Sequence, residues 1–140
     1  MIPLRLVLDT NVVVSAALKP EGLQRTVLIL ALTRPARLYI SPPVLEEYGM
    51  VLARRELRIR KGLRQQLLQL IARQAHTVRP GQSLQVTSDP DDNIFLECAD
   101  AAHADYLVTG NLKHFPRHWK KTKIISAREF IDIVAPHLLA

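Results

Sequence analysis

The stretch "DPDDNIFLECADAAHADYLVTGN", residues 89–111, crowds three carboxylates (Asp89, Asp91 and Asp92) onto the front of an apolar helix and follows it with a strand. Asp89 suits an N-cap, Pro90 a first helical turn, and Asp91 and Asp92 complement the positive end of the helix dipole. At about 100° per residue, Phe95, Cys98, Ala99 and Ala102 form the inward face and Asp92 lies on its flank. Asn93, Glu97 and Asp100 gather on the outer face and read as solvated helix surface. Asp92 can therefore serve the helix and still aim its carboxylate elsewhere. The run "ADYLVTG" has the length and apolarity of a buried strand, and it ends in Thr109, Gly110 and Asn111.

Working outward, the same alternation repeats. "LRLVLD" predicts a buried strand ending in Asp9. "EGLQRTVLILALTR" carries helical spacing at Leu23, Val27, Leu30 and Ala31. "ARLYIS" predicts a second strand, with Ser41 and Pro42 as N-cap and first residue of the helix "PPVLEEYGMVLARREL". "KGLRQQLLQLIARQ" predicts a helix with Leu63, Leu67, Leu70 and Ile71 inward. "HTVRP" is too short to assign. "TKIIS" predicts a last strand, and Ser126 caps a closing helix in "AREFIDIVAPHLL". Strands alternating with helices argue for one α/β domain across residues 1–140, built on a mainly parallel sheet. In such sheets the site lies at the carboxyl ends of the strands.

The bulk properties agree with a globular protein. A chain of 140 residues with 48% apolar content can bury a core, and no signal peptide, membrane span or repeat is visible. The net charge of +6 is compatible with a polyanionic partner such as nucleic acid. Cys98, the lone cysteine, has no intramolecular disulfide partner, which fits a reduced, cytoplasmic setting.

Asp9, Glu47 and Asp92 come from three separate elements yet point to one sheet edge. On its helix Glu47 lies beside Val44 and Val51, at the flank of the apolar face, whereas Glu46 points to water. A carboxylate ending an apolar strand costs several kcal/mol if desolvated alone. Asp9 either caps the turn with Thr10 or Asn11, or it has company. Three converging carboxylates repel one another unless a divalent cation or protonation relieves them. Hard oxygen donors point to Mg²⁺ or Mn²⁺, because His76, His103, His114, His118 and His137 are scattered and read as surface or core residues.

These blocks, "LDTNVVVSA", "SPPVLEEYGMVLARR", "SDPDDNIFLECADAAHADYLVTGN" and "TKIISAREFIDIV", resemble the PIN-domain family in their order, and the match is similar to the branch of toxin components of toxin–antitoxin systems. The resemblance implies a three-layer domain with helices on both faces of the sheet, which cuts RNA with Mg²⁺ or Mn²⁺. It also implies an acidic quartet at Asp9, Glu47, Asp92 and the position of Asn111, where the family's "TGD" or "TRD" element carries its fourth acid. Asn111 removes one negative charge, so a second ion is expected to bind more weakly. Asp105 starts the strand at the wrong end to replace it.

Thr10, Asn11 and Thr109 are candidates to support the acids, or equally turn residues. Arg54, Arg55 and Arg58, within "ARRELRIRKGLR", read singly as a solvated helix end and together as candidates to meet a phosphate backbone. An RNA substrate, an antitoxin partner and a homodimer follow from the resemblance. The alternative is a domain with weakened catalysis that serves as an RNA- or partner-binding module. A haloacid-dehalogenase-like site wants a second Asp where Asn11 stands, and a response-regulator receiver wants a Lys that "TGN" does not supply.

Overall fold

A computed structural model describes residues 4–81 and 83–139. Six strands form one sheet: β1 (Arg5–Leu8), β2 (Arg37–Ile40), β3 (His76–Thr77), β4 (Tyr106–Val108), β5 (His118–Trp119) and β6 (Thr122–Ile125). Their order across the sheet is β3-β2-β1-β4-β6-β5, and every pairing is parallel except the β5–β6 hairpin. Between them run α1 (Thr10–Leu18), α2 (Leu23–Ala31), α3 (Pro42–Leu52), α4 (Lys61–Gln74), α5 (Pro90–Ala102) and α6 (Ala127–Val134).

Consecutive strand residues face opposite sides of a sheet. Leu6, Val7 and Leu8 of β1 are all fully buried, as are Leu107 and Val108 of β4. Helices must therefore cover both faces, which makes the predicted three-layer α/β arrangement with a mainly parallel sheet. Helices α1, α2 and α6 pack together, and α3 packs on both α4 and α5. Among the described residues no helix is long and apolar enough to cross a membrane.

Local signals explain most boundaries. Ser41 caps α3 by accepting from the Val44 amide, and Ser126 and Glu129 form a reciprocal capping box on α6. Tyr48 is fully buried and donates its hydroxyl to the Leu8 carbonyl, which ties α3 to the carboxyl end of β1. Burial pushes that phenol well above its ordinary pKa, so it stays a donor.

Four readings of the sequence are corrected. Residues 10–18 form α1, where no helix was expected. Its "VVV" run is a poor helix signal, but burial of Val12, Val13 and Ala16 overrides propensity. Leu63 is not inward: it is 58% exposed, and Leu68 packs against the core in addition to Leu67. The β5–β6 hairpin was unexpected because its two-residue turn, Lys120–Lys121, lacks the usual Gly, Asn or Asp, although Lys120 adopts φ 52°. Asn93 is buried, not solvated, because the segment before α5 folds over it. Its side chain accepts from the Thr87 amide and hydroxyl at 2.8 and 2.9 Å and donates to the Thr87 carbonyl at 3.1 Å.

Candidate active site

Asp9 stands one residue past β1, the strand flanked by β2 and β4. Its backbone is extended (φ −66°, ψ 153°), and its amide donates to the Val108 carbonyl, so the β1–β4 ladder continues up to the turn into α1. The residue is only 6% exposed and its carboxylate is largely engaged. Oδ1 accepts from the Thr10 amide at 2.7 Å. Oδ2 accepts from the Thr109 hydroxyl at 2.7 Å and from Asn11 Nδ2 at 3.1 Å. Three of about four lone-pair positions are thereby filled, and the open one lies on Oδ1.

The support residues are interlocked. Thr109 is fully buried at the end of β4, and its hydroxyl also accepts from the Asn111 amide at 2.9 Å. Asn11 uses its other end, Oδ1, to accept from the Gly110 amide at 2.9 Å. A Cβ on Gly110 would stand 3.2 Å from that same oxygen, so the close approach of this loop to the first turn of α1 favours glycine. Thr10 donates its hydroxyl to Glu47 Oε2 at 3.0 Å. Asp9 and Glu47, which come from different elements, are thus bridged by one threonine.

Glu47 is half-buried on α3 and Glu46 is exposed, as the helical spacing predicts. On α5, Asp89 accepts from the Asp91 amide at 2.9 Å and acts as the N-cap, while Asp91 is exposed. Asp92 turns inward, and its side chain is 15% exposed. Asn111 begins a short 3-10 turn, Leu112–His114, and is exposed without a side-chain capping bond. Asp105 lies at the other end of β4, accepting from the Arg5 amide at 2.8 Å, which removes it from the site. Arg54, Arg55 and Arg58 are exposed beyond the end of α3.

His114 was counted among the scattered histidines, yet it belongs here. Its Nδ1 lies 3.5 Å from Asp92 Oδ2. The 3-10 turn sets it one turn after Asn111, with its amide donating to the Asn111 carbonyl at 3.0 Å. The spacing "NLKH" was the available signal.

Electrostatics mark the carboxylates as strained. Burial raises the Asp9 pKa above its ordinary 3.8, against the lowering effect of its hydrogen bonds and of nearby His114. Asp92 is also raised, first by desolvation and then by repulsion from Asp89 and Asp9, with His114 opposing. Such mutual repulsion is what a cation would relieve. Cys98, by contrast, is an inert core thiol pushed up to about 12 by burial. The donor chemistry suits a hard divalent ion, but among the described residues no three His, Cys, Asp or Glu side chains already stand close enough to hold one.

A family model described as "PIN domain" matches residues 5–113, well over half of the chain. An uncharacterized protein of Methanocaldococcus jannaschii, MJ1680, is 29% identical over 113 residues, covering 79% of this chain and 72% of that protein. Among solved structures, VapBC2 from Rickettsia felis bound to a DNA fragment from its promoter is similar in fold. The TM-score is 0.60 at 20% identity, over 88% of this chain and 98% of that one. FitAB bound to an IR36 DNA fragment is similar at TM-score 0.55 and 17% identity, over 87% of this chain and 94% of that one.

Proposed function

The chain belongs to the PIN-domain family, and from that membership we propose that it is a Mg²⁺- or Mn²⁺-dependent endoribonuclease, the toxin of a toxin–antitoxin pair. One observation carries the reading. Asp9 is a buried carboxylate held by three hydrogen bonds at the carboxyl edge of the sheet, opposed electrostatically by Asp92 from a separate helix.

Asp9 and Asp92 would hold the ion, with Glu47 as a further ligand or as the group that orients the attacking water. Asn111 offers a neutral carbonyl oxygen at the fourth corner. When bound, the ion supplies Lewis-acid stabilisation of the phosphate and makes water a stronger nucleophile. The chain's own contribution is placement. Thr109, Asn11 and the Thr10 amide fix the Asp9 carboxylate with Oδ1 open, and the Thr10 hydroxyl keeps Glu47 within reach of it.

The resemblance to the family's toxin branch, together with the likeness in fold to VapBC2 and FitAB, supports an antitoxin partner. A homodimer and a cytoplasmic setting belong to the same reading. The test is cleavage of a labelled single-stranded RNA pool with Mn²⁺, beside the same protein in EDTA and the Asp92→Asn variant. Cleavage by the parent alone supports the assignment. Cleavage that persists in Asp92→Asn sinks it.

A second reading, a domain of weakened catalysis that binds RNA or a partner, is favoured by Asn111, a neutral, exposed amide where the family's fourth acid is expected. RNA binding without cleavage in the parent, with cleavage gained by Asn111→Asp, would select it.

A further inference from the structure

Resting on the ribonuclease reading, we propose that single-stranded RNA leaves the acidic centre across a cationic wall formed by Lys113, Arg117, Lys123 and Arg128, with His118 set among them. The arginine-rich segment 54–64 is then not its path.

Two clefts make the wall one surface. The first, about 800 Å³, is bordered by Asn11 and Thr109, which hold Asp9, by His114 beside Asp92, and by Asn111, Lys113 and Arg128. The second, about 470 Å³, is bordered by Lys113, Arg117, His118 and Lys123. They share Leu112 and Lys113, so the two clefts adjoin. The β5–β6 ladder sets His118 directly opposite Lys123, which puts both on one face of the sheet's edge.

The charge on this surface is almost all of one sign. Lys113, Arg117, His118, Lys123 and Arg128 are exposed. The ion pairs among the described residues are His114–Asp92 and Lys120–Asp100, and neither uses a cation of the wall. Glu129 is the one acid bordering either cleft, and its Oε1 is occupied by the Ser126 amide in the α6 capping box.

A strand needs such a wall here. The carboxylates that would hold an ion also repel the phosphates flanking the one being cut. Cations within the Debye length of about 10 Å at 0.1 M salt offset that repulsion. An RNA strand brings a phosphate at every nucleotide, so the strand anchored at the centre runs onto the adjoining cations. Continuity with the centre favours RNA over an acidic protein segment. Arg54, Arg55 and Arg58 border neither cleft. They lie beyond the end of α3, past Leu52.

The test uses the full chain in EDTA with a labelled single-stranded RNA of roughly 16 nucleotides, measuring Kd over a range of salt. Arg117→Gln/Lys123→Gln is compared with Arg55→Gln/Arg58→Gln, and with Arg117→Lys/Lys123→Arg as the charge-conserving control. The first pair should weaken binding and flatten the slope of log K on log salt by about 0.7 per charge removed. The other two pairs should leave both unchanged. Unchanged affinity and slope in Arg117→Gln/Lys123→Gln overturns the track, as does their loss in Arg55→Gln/Arg58→Gln. A polyglutamate peptide run in parallel adds one more outcome. If only its binding is lost in Arg117→Gln/Lys123→Gln, the wall serves a protein partner and the proposal fails. Mn²⁺-dependent cleavage by the parent separates the two levels. A parent that cuts RNA while the wall variants bind it normally sinks the track alone, whereas a parent that neither binds nor cuts RNA sinks the ribonuclease reading and the track with it.

Discussion

Thr109 donates its hydroxyl to Asp9 Oδ2 at 2.7 Å, although the two residues are 100 positions apart. The same hydroxyl accepts from the Asn111 amide at 2.9 Å, so one oxygen fixes both the Asp9 carboxylate and the turn that begins at Asn111.

Thr109→Val keeps the shape and removes that oxygen. It leaves the Asn111 amide and one Asp9 lone pair without their partner. The expected cost is about 1–3 kcal/mol of stability, read from urea unfolding, together with weaker Mn²⁺ binding in a titration. Thr109→Ser should restore most of both. A loss in Ser with none in Val would mean that packing of the methyl group, not the hydroxyl, is what matters.

Asp9 and Asp92 both titrate above 3.8 in the folded chain, so folding takes up protons. Without metal, the stability they contribute is fully present below 3.8 and is lost as pH rises through their raised folded values. The thermal midpoint in EDTA should therefore fall as pH rises from 3.8 through the raised values. Added Mn²⁺ should reverse that fall at neutral pH by ion binding to the folded state. A midpoint that rises over this interval would contradict the assignment of strained carboxylates.

Asn111→Asp returns a negative charge to the exposed start of the Leu112–His114 turn. Mn²⁺ affinity should increase, and cleavage with it. Because Asn111 is exposed, little change in stability is expected without metal. Isothermal titration with Mn²⁺ reads the first effect, and unchanged affinity would remove Asn111 from the ligand set.

Tyr48→Phe deletes the bond to the Leu8 carbonyl at the strand end next to Asp9. A buried carbonyl left without its donor should cost about 1–3 kcal/mol. The neighbouring Glu47 should be held less well, so kcat should drop more than the affinity for RNA. Hydrogen exchange of the α3 amides reports whether the helix has loosened from β1.

By itself the sequence determined the alternation of strands and helices, the helix caps at Ser41, Asp89 and Ser126, and the positions of Glu47 and Asp92 on the flanks of their helices. These follow from local chemistry: a period of 3.6 for helices, short apolar runs for buried strands, and side chains that satisfy the first amides of a helix. Where tertiary burial opposed local preference, the sequence misled. The "VVV" run of α1 looks unlike a helix, and only burial of Val12 and Val13 in the core makes it one.

Tertiary structure alone decided which polar groups meet. The outer face of α5 looked solvated, but Thr87 folds over it and buries Asn93. His114 looked isolated until the turn after Asn111 brought it to 3.5 Å from Asp92. Lys113 and Arg128 likewise border one cleft only because β6 runs beside β4 and delivers the start of α6 near the turn after β4. Periodicity assigns a residue to a face of its own element; what lies opposite that face is set by strand order and crossovers, which a linear pattern does not encode.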